Sequence, residues 1–299
     1  MPMQFAKIAV LTVACGWAAP SRGEPIAVFV SIPPQKEIVE RIGAERVQTQ
    51  VLVFAGKDAH TFEPSPLQAA RLAKAKVYFT IGLSFEEAIV PKLRGQSVPV
   101  EIVDMTEGIE RRQLGPGACE HDHDHSHAHD HQCAHGGSDP HVWLAPSALK
   151  VLAKNTAEVL GRIDPEGRDG YLDRAAELEK ELDALDSRVA KTLTSYRGRA
   201  FYVFHPAYGY FADAYGLRQV SVETGGRQLA PKQLRELVAQ ARRDRVSVLF
   251  TQPQFDRRQA DAVARVMGAK VVLVDPLADD PLETIDTMAK AVSESLRAR

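Results

Sequence analysis

The apolar positions of this chain fall into two similar series. IAVFVS (26–31), VQTQVLVF (47–54), KVYFTIG (76–82) and VPVEIVD (98–104) are short apolar runs of strand character. Between them, stretches near 35–42, 66–75 and 85–94 alternate apolar and polar residues at helical spacing. After residue 198 the pattern returns: AFYVF (200–204), RQVSVE (218–223), VSVLFT (246–251) and KVVLVD (270–275) alternate with helical stretches at 207–215, 231–243, 257–267 and 281–297. Strand and helix in alternation predict parallel sheets covered by helices. The fold class is therefore α/β, with two lobes that each carry a four-stranded parallel sheet. No convincing residue-level repeat relates them.

The middle of the chain differs. A helix over 146–161 is followed by YLDRAAELEKELDALDSRVAKTLTSY (171–196), which lacks Gly and Pro. There Leu172, Ala175, Leu178, Leu182, Leu185, Val189 and Leu193 recur at a helical period. Such a helix is about 39 Å long at 1.5 Å per residue, enough to run along both lobes and join them. Residues 113–139 form one long irregular insertion, opened by QLGPGACE and closed by HGGSDP. That composition cannot bury a core and predicts a mobile loop. The organisation read from the chain is an export signal at 1–23, a first lobe at 24–166 containing the 113–139 loop, a connecting helix at 167–197 and a second lobe at 198–299.

The signal reading rests on an apolar run at 8–19, too short to span a bilayer, with Lys7 before it. Ser21 and Gly23 sit at −3 and −1 of a cut before Glu24. A lipid anchor on Cys15 is the alternative, with Thr12 standing where Leu is usual. The expected compartment is the periplasm. The whole chain of 299 residues has a formal net charge of −2, so no basic excess exists to neutralise phosphates and nucleic-acid binding is excluded as a first reading. Losing residues 1–23 removes two bases and no acid. It also removes Cys15 and leaves Cys119 and Cys133, which flank the insertion's histidines and are expected to pair in an oxidising compartment or to ligate metal.

Histidine changes the picture. Seven of the ten lie between residues 121 and 135. His121, His123, His125, His127, His129 and His131 occupy every second position, interleaved with Asp122, Asp124 and Asp130, and His135 follows. This loop is read as an auxiliary set of weak sites for zinc, copper or nickel. Outside it only His60, His141 and His205 remain. His60 follows the second strand through the turn AGKDA, His205 comes directly after FYVF, and Asp275 directly after VVLV. His141 sits in DPHVW, before a helix. In open α/β sheets ligands bind beyond the carboxyl ends of strands, so facing lobes would bring these groups together. Three imidazoles and one carboxylate suit a divalent transition ion, zinc foremost. The four are 64 to 81 residues apart, so no compact motif certifies the site.

The stretches IAVFVSIPPQKEIVERIG, DAHTFEPSP, DPHVWLAP, FHPAYGYFADAYGL, TQPQF and VDPL, with the His-rich insertion, resemble the metal-binding solute receptors of ABC importers for zinc and manganese, most closely the zinc type. The resemblance runs from about residue 24 to the C-terminus. It implies two α/β lobes joined by one long rigid helix, with metal in the cleft. It maps the ligands onto His60, His141, His205 and Asp275. In zinc-type members the place of that Asp is also taken by water or another acid. TQPQF departs from the frequent acidic form, with Gln252 where Glu is common, and GGRQLAPKQL is a loose version of its counterpart.

The function expected from this reading is non-enzymatic: capture of Zn2+ outside the cytoplasmic membrane and delivery to an ABC permease, by a monomer. A manganese receptor is the rival within the family. A secreted zinc hydrolase is the rival from another class, with Asp58 or Glu63 as general base, although no HExxH occurs. A plain zinc buffer, with the loop as its functional part, is a third.

Overall fold

In the computed structural model, residues 24–95, 99–113, 138–224, 227–228 and 230–297 are described. The first series forms β1 (Ile26–Val30), α1 (Pro33–Gly43), β2 (Val47–Val51), α2 (Pro66–Leu72), β3 (Val77–Thr80), α3 (Ser84–Gly95) and β4 (Glu101–Asp104). Two helices follow, α4 (Pro146–Ile163) and α5 (Arg168–Leu193). The second series forms β5 (Ala200–Val203), α6 (Gly209–Tyr215), β6 (Arg218–Ser221), β7 (Glu223–Thr224), β8 (Arg227–Gln228), α7 (Pro231–Arg243), β9 (Val248–Thr251), α8 (Arg257–Met267), β10 (Lys270–Leu273) and α9 (Pro281–Arg297).

Both sheets are parallel, and both have the same topology. The first runs β2-β1-β3-β4 and the second β10-β9-β5-β6. In order along each series this is 2-1-3-4. Strand order reverses between the first and third strand of each series, which is where open α/β sheets form crevices. The two-residue pair β7–β8 is an antiparallel addition too short to read from hydrophobic pattern.

Several strands are shorter than their apolar runs. VQTQVLVF pairs as β2 only to Val51, but Leu52 and Val53 donate backbone hydrogen bonds to Val30 and Ser31 and stay fully buried in the turn. Burial therefore outlasts the ladder. The long helix α5 has 26 residues and ends in a 3-10 turn at Thr194–Tyr196. Its buried stripe is Tyr171, Leu178, Leu182, Leu185, Val189 and Leu193. Leu172, expected in that stripe, is exposed, because the seam passes through Tyr171 one position earlier.

The α5 stripe packs on α1, α4 and α9, and one continuous core extends from the first sheet through α4 and α5 to α6 and α9. A smaller core lies on the other face of the second sheet under α7 and α8. Among the described residues no helix is long and apolar enough to cross a membrane. The leader, Cys15, Cys119, Cys133 and the histidines at 121–135 lie outside the described residues.

Candidate metal centre

His205 is placed by sheet register. Val203 pairs with Ser221 across β5–β6 and with Phe250 across β5–β9. The pairing continues past the strand ends, with the Val222 and Glu223 N–H groups donating to the Val203 and Phe204 carbonyls. Two residues on, Glu223 stands beside His205 on one side and Gln252 on the other. The His205 ring Nδ1 lies 2.7 Å from Glu223 Oε1, and the Gln252 side-chain N–H reaches the His205 carbonyl at 3.5 Å. The Phe255 ring stacks on the imidazole, with centroids 5.0 Å apart and planes at 23°.

His141 is held the same way by a local turn. Asp139 Oδ1 accepts from the His141 backbone N–H at 3.0 Å and lies 2.7 Å from its ring Nδ1. Burial works to raise the Asp139 carboxyl, but the His141 hydrogen bonds and the nearby Arg112 charge outweigh it and hold it below the usual carboxylate range. An ionised carboxylate only accepts, so the Asp139 contact puts a proton on Nδ1 of His141 and leaves Nε2 as the nitrogen available to an ion. After His141 comes the 3-10 turn Val142–Leu144, whose Trp143 indole N–H donates to the Pro276 carbonyl at 2.6 Å. That bond ties the His141 segment to the end of β10.

His60 sits on the loop after β2. Its N–H donates to Asp58 Oδ1 at 2.9 Å, an Asx turn, and its carbonyl accepts from the Ser84 hydroxyl at 3.3 Å. Ser84 opens α3, so the third strand's crevice braces the loop of the second.

These three segments bring the three histidines together. One ring nitrogen from each of His60, His141 and His205 lies within 4.8 Å of the others, and the ring centroids are 4.8–5.4 Å apart. Nitrogens bound about 2.0–2.1 Å from a tetrahedral zinc stand about 3.3 Å apart, so binding draws the rings inward by at most about 1.5 Å. His141 and His205 are 5% and 6% exposed. His205 Nε2 is buried with no hydrogen-bond partner among the described residues. Burying an unpaired nitrogen is costly unless an ion takes it. A carboxylate on the far nitrogen of two of the three rings is the arrangement that fixes the tautomer and raises the basicity of metal-binding histidines. The pocket between them holds about 20 Å³, and Trp143, Gln252, Gln254 and Phe255 help to line it. That is room for an ion or a water, far below the roughly 300–1,000 Å³ of organic-ligand pockets.

Asp275, expected as the fourth ligand, does not join this group. Its strand-end position is as expected, but β10 lies two strands from β5, a lateral offset of about 10 Å. Its Oδ1 accepts from the Gln254 side chain at 2.8 Å and from the Leu277 N–H at 2.9 Å. Asp275→Asn is therefore expected to weaken zinc binding by about tenfold at most, the low end of the loss for outer-shell partners. A loss beyond a hundredfold in chelator competition would put the carboxylate on the metal.

Asp139 and Glu223 were not singled out from sequence. Asp139 had a signal, a carboxylate two residues before His141. Glu223 had none, because its role depends on a register across 18 residues. Gln252 lines the pocket and is 1% exposed, and its Oε1 has no hydrogen-bond partner among the described residues.

The family model described as zinc-uptake complex component A, periplasmic, matches residues 28–298. The high-affinity zinc uptake system protein ZnuA of Paracoccus denitrificans is 34% identical over 230 residues, 70% of each chain. That of Bacillus subtilis is 28% identical, covering 90% of this chain and 85% of its own. A crystal structure of a zinc-bound ZnuA lacking its residues 138–173 superposes with a TM-score of 0.80 at 32% identity, covering 91% of this chain and 98% of that one. With a family model over residues 28–298 and a relative above 30% identity in agreement, the chain belongs to the family of periplasmic zinc-uptake complex component A proteins.

Proposed function

We propose that this protein is an extracytoplasmic zinc receptor that binds Zn2+ between its two lobes and delivers it to the permease of an ABC importer. The observation that carries the reading is the buried trio of His60, His141 and His205, two of them backed by carboxylates. Three neutral imidazoles favour zinc over magnesium or calcium, which take mostly oxygen, and over manganese, which suits carboxylates. The fourth tetrahedral position is open to water. The protein is a binding protein and not an enzyme, as are the solute receptors of its family. Residues 1–23 serve as a cleaved leader to the periplasm, and the receptor works as a monomer.

Chelator-stripped protein is expected to bind one Zn2+ tightly, with a rise in melting temperature, since a ligand held only by the native state stabilises it. Equal or tighter binding of Mn2+ in competition would overturn the zinc reading. Protons compete for the imidazoles, so affinity should fall as pH drops through the histidine range.

The His-rich insertion gathers ions for the cleft. Its ends meet in a bridge between Gln113 and Ser138, so residues 114–137 can be excised across a closed neck. The cleft ligands are held by the fold, and none of them lies in the insertion. Deleting 114–137 should remove the weak sites and leave the tight one nearly unchanged. Loss of the tight site on deletion would show that the insertion, not the cleft, is the receptor site. Uptake should then depend on the insertion only when zinc is scarce.

A further inference from the structure

Arg112 stands one residue before the neck of the insertion, and its side chain forks. Nη1 lies 3.3 Å from Asp139 Oδ2, and Nε lies 2.8 Å from Asp213 Oδ2 on α6 of the second lobe. The backbone is laced into the same junction. The Arg112 N–H donates to the Tyr210 hydroxyl at 2.9 Å, that hydroxyl donates to the Asp139 carbonyl at 3.2 Å, and the Asp139 N–H donates to the Arg112 carbonyl at 2.8 Å. Gly209 opens α6 beneath the pair. A Cβ there would stand 2.5 Å from Arg112 Nη1 and 2.6 Å from Asp139 Oδ2. Only glycine lets the ion pair lie against the helix.

Asp139 is 0% exposed and its two oxygens have different partners. Oδ2 takes Arg112, while Oδ1 takes the backbone and ring of His141. A carboxylate is free to rotate about its Cβ–Cγ bond unless both oxygens are engaged. With Oδ2 pinned by the guanidinium, the direction of Oδ1 is set, and with it the plane and tautomer of His141. We infer that Arg112 is a positioning residue for metal capture: through Asp139 it aims His141, and through Asp213 and Tyr210 it makes that aim depend on the seating of the second lobe's α6. The neck of the insertion is thereby part of the support of the cleft site. The inference rests on the zinc reading only in taking His141 as a ligand.

The test uses the full chain, metal-free and with Zn2+. In the metal-free protein, nitrogen NMR of His141 should report the Nδ1–H tautomer. Arg112→Gln keeps much of the shape and removes the fork and the charge. It should mix in the other tautomer and lower zinc affinity about tenfold, the low end of the effect of outer-shell partners. Arg112→Lys restores charge without the fork and should recover only part of the loss. Gly209→Ala displaces the pair without removing either member and should act in the same direction, which keeps the question decidable if Arg112→Gln does not fold. Unchanged zinc affinity in Arg112→Gln would overturn the inference. So would a fall in affinity with the His141 signature unmoved, since Arg112 would then act by some route other than aiming the ring. Wild-type protein that binds no zinc would contradict the function proposed above, and the ring signature would still decide the role of Arg112.

Discussion

His205→Ala should weaken zinc binding by two orders of magnitude or more. Structural zinc in a four-ligand site is worth about 10–16 kcal/mol at neutral pH, so one donor in four accounts for about 3 kcal/mol, roughly a hundredfold. The loss should exceed that share here. His205 is firmly supported, with Glu223 on one nitrogen and Phe255 stacked on its face, and no other donor joins the group among the described residues. His60→Ala, on a half-buried loop residue, should cost less, because water enters more readily at that edge. Chelator competition at constant pH reads both. An unchanged isotherm for His205→Ala would remove the second lobe from the site.

Glu86→Ala should lower stability by about 3 kcal/mol, and melting by roughly 5 °C, given the usual cost of orphaned buried hydrogen-bonding groups and the unfolding entropy of a chain this size. Glu86 lies at the crevice of the first sheet, the position that His205 and Gln252 occupy in the second. Its carboxylate collects the N–H groups of Ile81, Gly82 and Leu83, at 2.7–3.1 Å, and the hydroxyl of Ser31. Burial pushes its pKa up against those hydrogen bonds, so relief of that burial offsets part of the loss. Glu86→Gln, which keeps one acceptor, should cost about 1 kcal/mol. Ser84, one residue beyond this cluster, braces the His60 carbonyl, so Glu86→Ala should also weaken zinc binding. Full stability in Glu86→Ala would mean that the 81–83 turn holds itself.

The two sheets and the long helix were legible because their patterns are local. Alternating strand and helix signals needed no knowledge of what pairs with what. The three cleft histidines stood out once the low-complexity cluster was set aside, and strand-end placement brought His60 and His205 to the same crevice. What stayed hidden depends on lateral order. Asp275 and His205 both follow strands directly, but the order β10-β9-β5-β6 sets them two strands apart, and no run of residues announces that order. Glu223 only closes the run RQVSVE, and the β5–β6 register is what sets it against His205. Arg112 carried no signal, because its partners Asp139 and Asp213 come from two other segments.

The central claim is that one zinc ion is held by three imidazoles in the cleft. Zinc-edge X-ray absorption on the 1:1 complex of protein lacking 114–137 tests it most directly. The expected spectrum has three imidazole nitrogens at about 2.0–2.1 Å and one light oxygen, with one imidazole lost in His205→Ala. A first shell of fewer than three imidazoles in the parent protein, or one that His205→Ala leaves unchanged, would contradict it.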